Sequence, residues 1–137
     1  MLFINLPELL VLHEEFLGKL EHITQSYNSL ESRISTCIME FTPRLKEPYY
    51  KFCLEYRKSN RILKLLKISN SQFNAHIDQL IKQGLMKFEL NSYLIKPVQR
   101  LCKYSLLLDQ LIKYTPVEHP DRKDLEKALK LVTDMVQ

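Results

Sequence analysis

The chain has two glycines, Gly18 and Gly84, and no tryptophan among 137 residues. Two glycines cannot build the glycine-rich loop that cradles phosphates, which argues against a nucleotide-hydrolysing or nucleotide-binding enzyme. The three cysteines, Cys37, Cys53 and Cys102, are odd in number and isolated, with no Cys-x-x-Cys pair. That pattern argues against a disulfide framework and a zinc site, and fits a reducing compartment. His13, His22, His76 and His119 are too scattered for a metal cluster, and each reads as a surface or cap histidine. Glu14 and Glu15 are adjacent and point in different directions on a helix, unlike a general acid/base pair. No catalytic residue, metal or cofactor is therefore expected. There is no Asn-Gly or Asp-Gly hairpin signal and no alternating strand pattern. Met1-Leu2-Phe3-Ile4 is apolar but lacks a basic flank, and Pro7, Glu8 and His13-Glu14-Glu15 interrupt it before a signal or membrane span can form. A cytoplasmic location follows as an expectation.

What remains is helical. Apolar residues make up 45% of the chain and recur at helical spacing, enough for one core and one domain. The net charge of +4 is mild. The basic run Arg57-Lys58, Arg61, Lys64, Lys67 reads most simply as a solvated helix face. No nucleic-acid motif accompanies it, and membrane contact is expected to be indirect at most.

Asn5 and Glu8 form a capping-box pattern with Pro7 in the first turn, ahead of the stripe Leu9, Leu12, Phe16, Leu20, Ile23. A second segment, about 30–41, places Ile34, Cys37, Ile38 and Phe41 on one side and stops at Pro43. Pro48 opens a third segment with Phe52, Cys53 and Tyr56 inward, continued by Ile62, Leu63 and Leu66. Ser71 caps a fourth, carrying Phe73, Ile77, Leu80 and Ile81 and ending at Gly84. A fifth helix spans about 92–114, with a kink or turn expected near Pro97. Asp121 starts a last helix with Leu125, Ala128, Leu129, Val132 and Met135 inward. The fold class is all-α, an elongated helical bundle.

The fifth helix is the informative one. At about 100° per residue, Leu101, Tyr104, Leu108, Leu111 and Ile112 form a core stripe. Opposite it lie Ile95, Gln99, Lys103, Leu106 and Gln110. Two bulky apolar residues among two amides and one lysine read as a surface for a partner. The alternative is that Ile95 and Leu106 pack under a neighbouring helix.

The run from Tyr93 to Thr115, YLIKPVQRLCKYSLLLDQLIKYT, followed by His119-Pro120-Asp121 and LEKAL at 125–129, resembles the third conserved region of the Dbl-homology domain. That domain is the exchange module of guanine-nucleotide exchange factors for Rho-family GTPases. Ser105 stands where the family usually has proline. Residues 2–17 are similar to an earlier family segment. Tyr49-Tyr50-Lys51-Phe52-Cys53-Leu54-Glu55-Tyr56, with Asn60, resembles the second conserved region. The family has a long helix before the first of these, bearing a glutamate that contacts the GTPase's first switch, and a final helix that runs on to a contacting asparagine. The resemblance thus implies a single partial Dbl-homology domain over 1–137, with no pleckstrin-homology domain, an exposed apolar groove where a wall is absent, and weak activity from this length of chain.

By resemblance, Gln99 and Lys103 contact the GTPase's second switch, Ile95 and Leu106 supply apolar contact area, and Gln110 shares their face. Arg100 is expected to orient the helix by pairing within the domain, and the segment around 98–114 to be the most buried. The implied function is exchange, stimulating GDP release from a Rho-family small GTPase without bond chemistry. The alternative is a non-catalytic module that keeps the scaffold and binds a GTPase or another protein.

Overall fold

The computed structural model describes residues 2–137, and those residues form helices and loops with no strand among them. The order is α1 (Leu6–Gln25), α2 (Ile34–Ser69), α3 (Ser71–Lys82), α4 (Leu90–Leu94), α5 (Lys96–Lys113) and α6 (Arg122–Val136). Helices α1 and α6 flank the first half of α2, α5 packs on α6 and α2, and α3 closes the far end of α2.

The sequence divided α2 into two helices at Pro43 and Pro48; the structure runs one helix of 36 residues through both. A proline inside a helix removes a hydrogen bond and costs about 3 kcal/mol. The reason the helix survives is its stripe. Cys37, Phe41, Leu45, Tyr49 and Phe52 stay in helical phase across both prolines and are all buried in one cluster with Leu9 and Leu101. Burying each of the larger side chains contributes about 1.5–3 kcal/mol, which offsets the lost bonds. α2, not the 98–114 segment, is the most buried helix, with eleven buried residues against three on α5.

The other departures are local. Asn5 does not cap α1 through its side chain. Its Nδ2 instead donates to Pro48 O at 2.9 Å and to Glu8 at 3.0 Å, tying the start of α1 to α2. Asn70, not Ser71, caps α3, accepting from Phe73 N at 3.0 Å. Gly84 sits at φ 73° just past α3, where Leu85 N reaches Leu80 O and Gly84 N reaches Ile81 O, the paired bonds of a glycine-terminated helix.

The start of α6 performs two capping jobs for its neighbours. Asp121, buried, accepts from the backbone N–H of Ser35 at 3.2 Å and from its hydroxyl, so a carboxylate faces the positive end of α2. Arg122 donates to Ile112 O at 2.8 Å and Thr115 O at 2.6 Å, satisfying carbonyls at the end of α5. His119 is half-buried, and its Nδ1 accepts from Asp121 N at 3.1 Å, a contact just ahead of α6.

Between α1, α2, α5 and α6 lies an apolar groove of about 240 Å³, lined by Phe16, Leu20, Ile38, Tyr104, Leu107 and Leu111 among others.

Candidate functional site

The break before the site is made by Pro97. α4 ends at Leu94, Ile95 keeps helical backbone angles, and α5 begins at Lys96 with the proline in its first turn. Pro97 has no N–H to give Tyr93 O, the bond an uninterrupted helix would make. One turn on, Gln99 N bonds Ile95 O at 3.1 Å, so the helical phase survives and the 92–114 segment behaves as two helices in near-continuity.

The core side of α5 is as its periodicity predicts. Leu101, Leu108 and Ile112 are buried, while Tyr104 and Leu111 are half-buried. On the opposite side Gln99, Lys103, Leu106 and Gln110 are exposed, and Ile95 at the helix entry is half-buried. These five residues fall within a sector of about 80° at 3.6 residues per turn. Leu106 is 66% exposed, so it packs under no neighbouring helix. Among the described residues no carboxylate lies within ion-pair distance of Lys103. The face thus offers one unneutralised ammonium with three donors and two amides that both donate and accept.

Arg100 pairs within the domain, with an aromatic ring and with no acid among the described residues: its guanidinium lies 5.0 Å from the centre of the Tyr104 ring. Tyr104 is the anchor that fixes the rotation of α5. Its hydroxyl lies 3.2 Å from Nδ1 of His13 on α1, whose Nε2 lies 2.6 Å from the hydroxyl of Tyr49 on α2. The His13 ring stacks near Tyr104 and meets Tyr49 edge-on. One imidazole therefore joins three helices, and His13 is a half-buried bridge rather than a surface residue. A neutral imidazole has one donor and one acceptor, and each tyrosine hydroxyl can serve as either.

Burial, and secondarily the charge of Arg100, hold the pKa of His13 below its ordinary value. Burial likewise pushes the Tyr49 phenol up, keeping it protonated as a partner. The unfolded chain binds a proton on His13 near pH 6.5, before the folded chain does. Stability contributed by the neutral bridge is thus present above about pH 6.5. It is lost as pH falls towards the lowered folded-state pKa. Urea titrations from about pH 7.5 down to 5.5 should show wild-type stability falling while His13→Gln stays nearly flat. Parallel slopes would remove His13 from the linkage.

No group of three or more His, Cys, Asp or Glu residues is placed to hold a metal among the described residues. None of the described helices is long and apolar enough to cross a membrane.

Comparison with known proteins gives these features a context. A profile of the RhoGEF domain matches residues 1–137. Protein vav-1 of Caenorhabditis elegans is 32% identical over 148 aligned residues, covering 98% of this chain and 15% of that protein. Rac guanine nucleotide exchange factor B of Dictyostelium discoideum is 37% identical over 75% of this chain and 9% of its own length. The human phosphatidylinositol 3,4,5-trisphosphate-dependent Rac exchanger 2 protein is 29% identical over 94% of this chain and 8% of its own length. The chain therefore spans a small fraction of the curated relatives it matches.

Among solved structures, the DH domain of FARP2 superposes with a TM-score of 0.79 at 26% identity, over 91% of this chain and 61% of that one. A DH/PH fragment of PDZRHOGEF, crystallised with human RhoA, gives a TM-score of 0.83 at 21% identity, over 96% of this chain and 39% of that one. The fold agrees with that of these domains, and the profile spans the whole sequence: the chain belongs to the RhoGEF domain family.

Proposed function

We propose that this chain is a guanine-nucleotide exchange domain for a Rho-family GTPase and that the outer face of α5 is its contact surface. The observation that carries the proposal is the sector of Gln99, Lys103, Leu106 and Gln110, exposed and aligned directly opposite the buried Leu101, Leu108 and Ile112. The relatives named as Rac exchangers, and the related fragment crystallised with RhoA, support the same class of partner.

Exchange of this kind makes and breaks no bond, so the domain is a regulator. It works by binding the nucleotide-free GTPase more tightly than the loaded one, and linkage then weakens nucleotide binding by the same factor. Lys103 supplies an ammonium donor to the second switch and Gln99 an adjacent amide; as i, i+4 neighbours they reach one surface. Ile95 and Leu106 contribute apolar area at its two ends, and Gln110 extends the polar rim. The setting is the cytoplasm, where isolated thiols such as the exposed Cys53 and Cys102 stay reduced.

The test is affinity for a Rho-family GTPase prepared with and without nucleotide, paired with release of a fluorescent GDP analogue. Tighter binding to the empty form and faster release are expected. Equal affinity for both forms would make the chain a binding module with no power to promote exchange.

A further inference from the structure

The second half of α2 carries a surface that the exchange reading leaves unused. Lys51, Arg57, Lys58, Arg61 and Lys64 are exposed and lie on the side of α2 opposite the buried Phe52, Ser59 and Leu63. Interleaved with them are Tyr50, Leu54, Leu65 and Ile68, which are 66%, 60%, 63% and 85% exposed. At about 100° per residue these nine positions occupy one sector of about 140°, and they extend over about 27 Å at 1.5 Å per residue. No Asp or Glu falls in that sector between positions 50 and 68. Glu55, on its flank, lies 3.6 Å from Lys58. Among the described residues no carboxylate is within ion-pair distance of Lys51, Arg57, Arg61 or Lys64.

A water-facing helix normally mixes both charge signs and pairs them four residues apart. Single exposed apolar residues need no explanation, but four bulky ones among five cations of one sign form a different pattern. Apolar side chains at both ends and cations between them match a helix lying on an anionic bilayer. There the apolar groups enter the headgroup boundary and the cations reach phosphates. The surface is the outer side of a helix rather than a groove, which fits a flat array of headgroups better than a peptide. We propose that the outer face of α2 docks on anionic lipid at a membrane surface. The basic run read from the sequence as a solvated face is, on this view, half of a lipid-binding stripe.

The experiment is sedimentation of the chain with vesicles of phosphatidylcholine containing about 30% phosphatidylserine, against phosphatidylcholine alone. Binding to the anionic vesicles that weakens with salt is expected. Each cation near such a surface is worth about fivefold in partition, so Arg61→Gln with Lys64→Gln should weaken binding about 25-fold. Lys82→Gln with Lys130→Gln, the same charge change on α3 and α6, should leave most of it. Leu65→Ala with Ile68→Ala should weaken binding about tenfold with the charge intact. All six residues are exposed, and circular dichroism checks that each variant stays helical. Equal loss from the α2 and control pairs would reduce the effect to net charge and overturn the stripe. Binding to polyglutamate without binding to anionic vesicles would assign the face to an acidic protein and overturn the lipid proposal.

Discussion

Replacing Phe41 with alanine is expected to destabilise the domain by about 3–5 kcal/mol, the range for removing a large aromatic from a closed core. Phe41 is fully buried, its ring is 5.0 Å from that of Phe16 on α1, and the guanidinium of Arg44 lies 4.7 Å from its centre. The substitution removes apolar burial, a stacked pair and a cation contact together. It also removes one of the residues that hold α2 helical beside Pro43, so the local loss of a hydrogen bond is no longer offset there. Against a typical total stability of about 5–15 kcal/mol, that is enough to populate unfolded chain. Leu85→Ala, at a position 70% exposed in the loop after α3, should change stability by no more than about 0.5 kcal/mol. Urea unfolding followed by circular dichroism measures both. A cost below about 1 kcal/mol at Phe41 would contradict the packing of α1 on α2.

The same residues show where sequence reading succeeds and where it fails. The face of α5 was legible because its two sides follow from periodicity within a single helix, and Leu106 and Leu108 report opposite environments only two residues apart. The continuity of α2 was misread because proline is a local signal and the stripe from Cys37 to Phe52 is a longer one. Following the phase of Phe41, Leu45 and Tyr49 through Pro43 and Pro48 would have recovered it. Asn5 was misread for a related reason. Its local pattern matches a cap, but the stronger partner is a carbonyl 43 residues away that the sequence cannot place. The His13 bridge was hidden for the same cause, being assembled from positions 13, 49 and 104 on three helices. A usable hint was present: His13 follows Leu12 on the apolar side of α1, and Tyr49 and Tyr104 stand on core stripes with polar tips that need partners.

Lys103→Ala is expected to weaken binding to the nucleotide-free GTPase roughly ten- to a hundredfold while leaving the fold intact. The first half of that statement rests on the side chain's chemistry. An interfacial hydrogen bond to a charged group is worth about 1.5–3 kcal/mol, and each 1.4 kcal/mol is tenfold in affinity. If the contact is made only with the empty GTPase, the variant's power to weaken nucleotide binding falls by the same factor, because the two equilibria are linked, and nucleotide release is expected to slow. The second half rests on position. Lys103 is exposed and takes part in none of the ion pairs among the described residues, so truncation should cost no more than about 0.5 kcal/mol of stability. Gln99→Ala, one turn away on the same face, should act in the same direction with a smaller effect, since a neutral amide bond is worth about 0.5–1.5 kcal/mol. Leu108→Ala supplies the contrast from the other side of the helix. It is buried among Ile112, Leu125 and Ala128, and its loss should cost about 2–5 kcal/mol of stability through a core cavity. Any fall in exchange by that variant should then track unfolding, and it should shrink at low temperature in step with the recovery of helical signal. A Lys103→Ala chain that binds the empty GTPase as tightly as its parent would take Lys103 out of the contact surface.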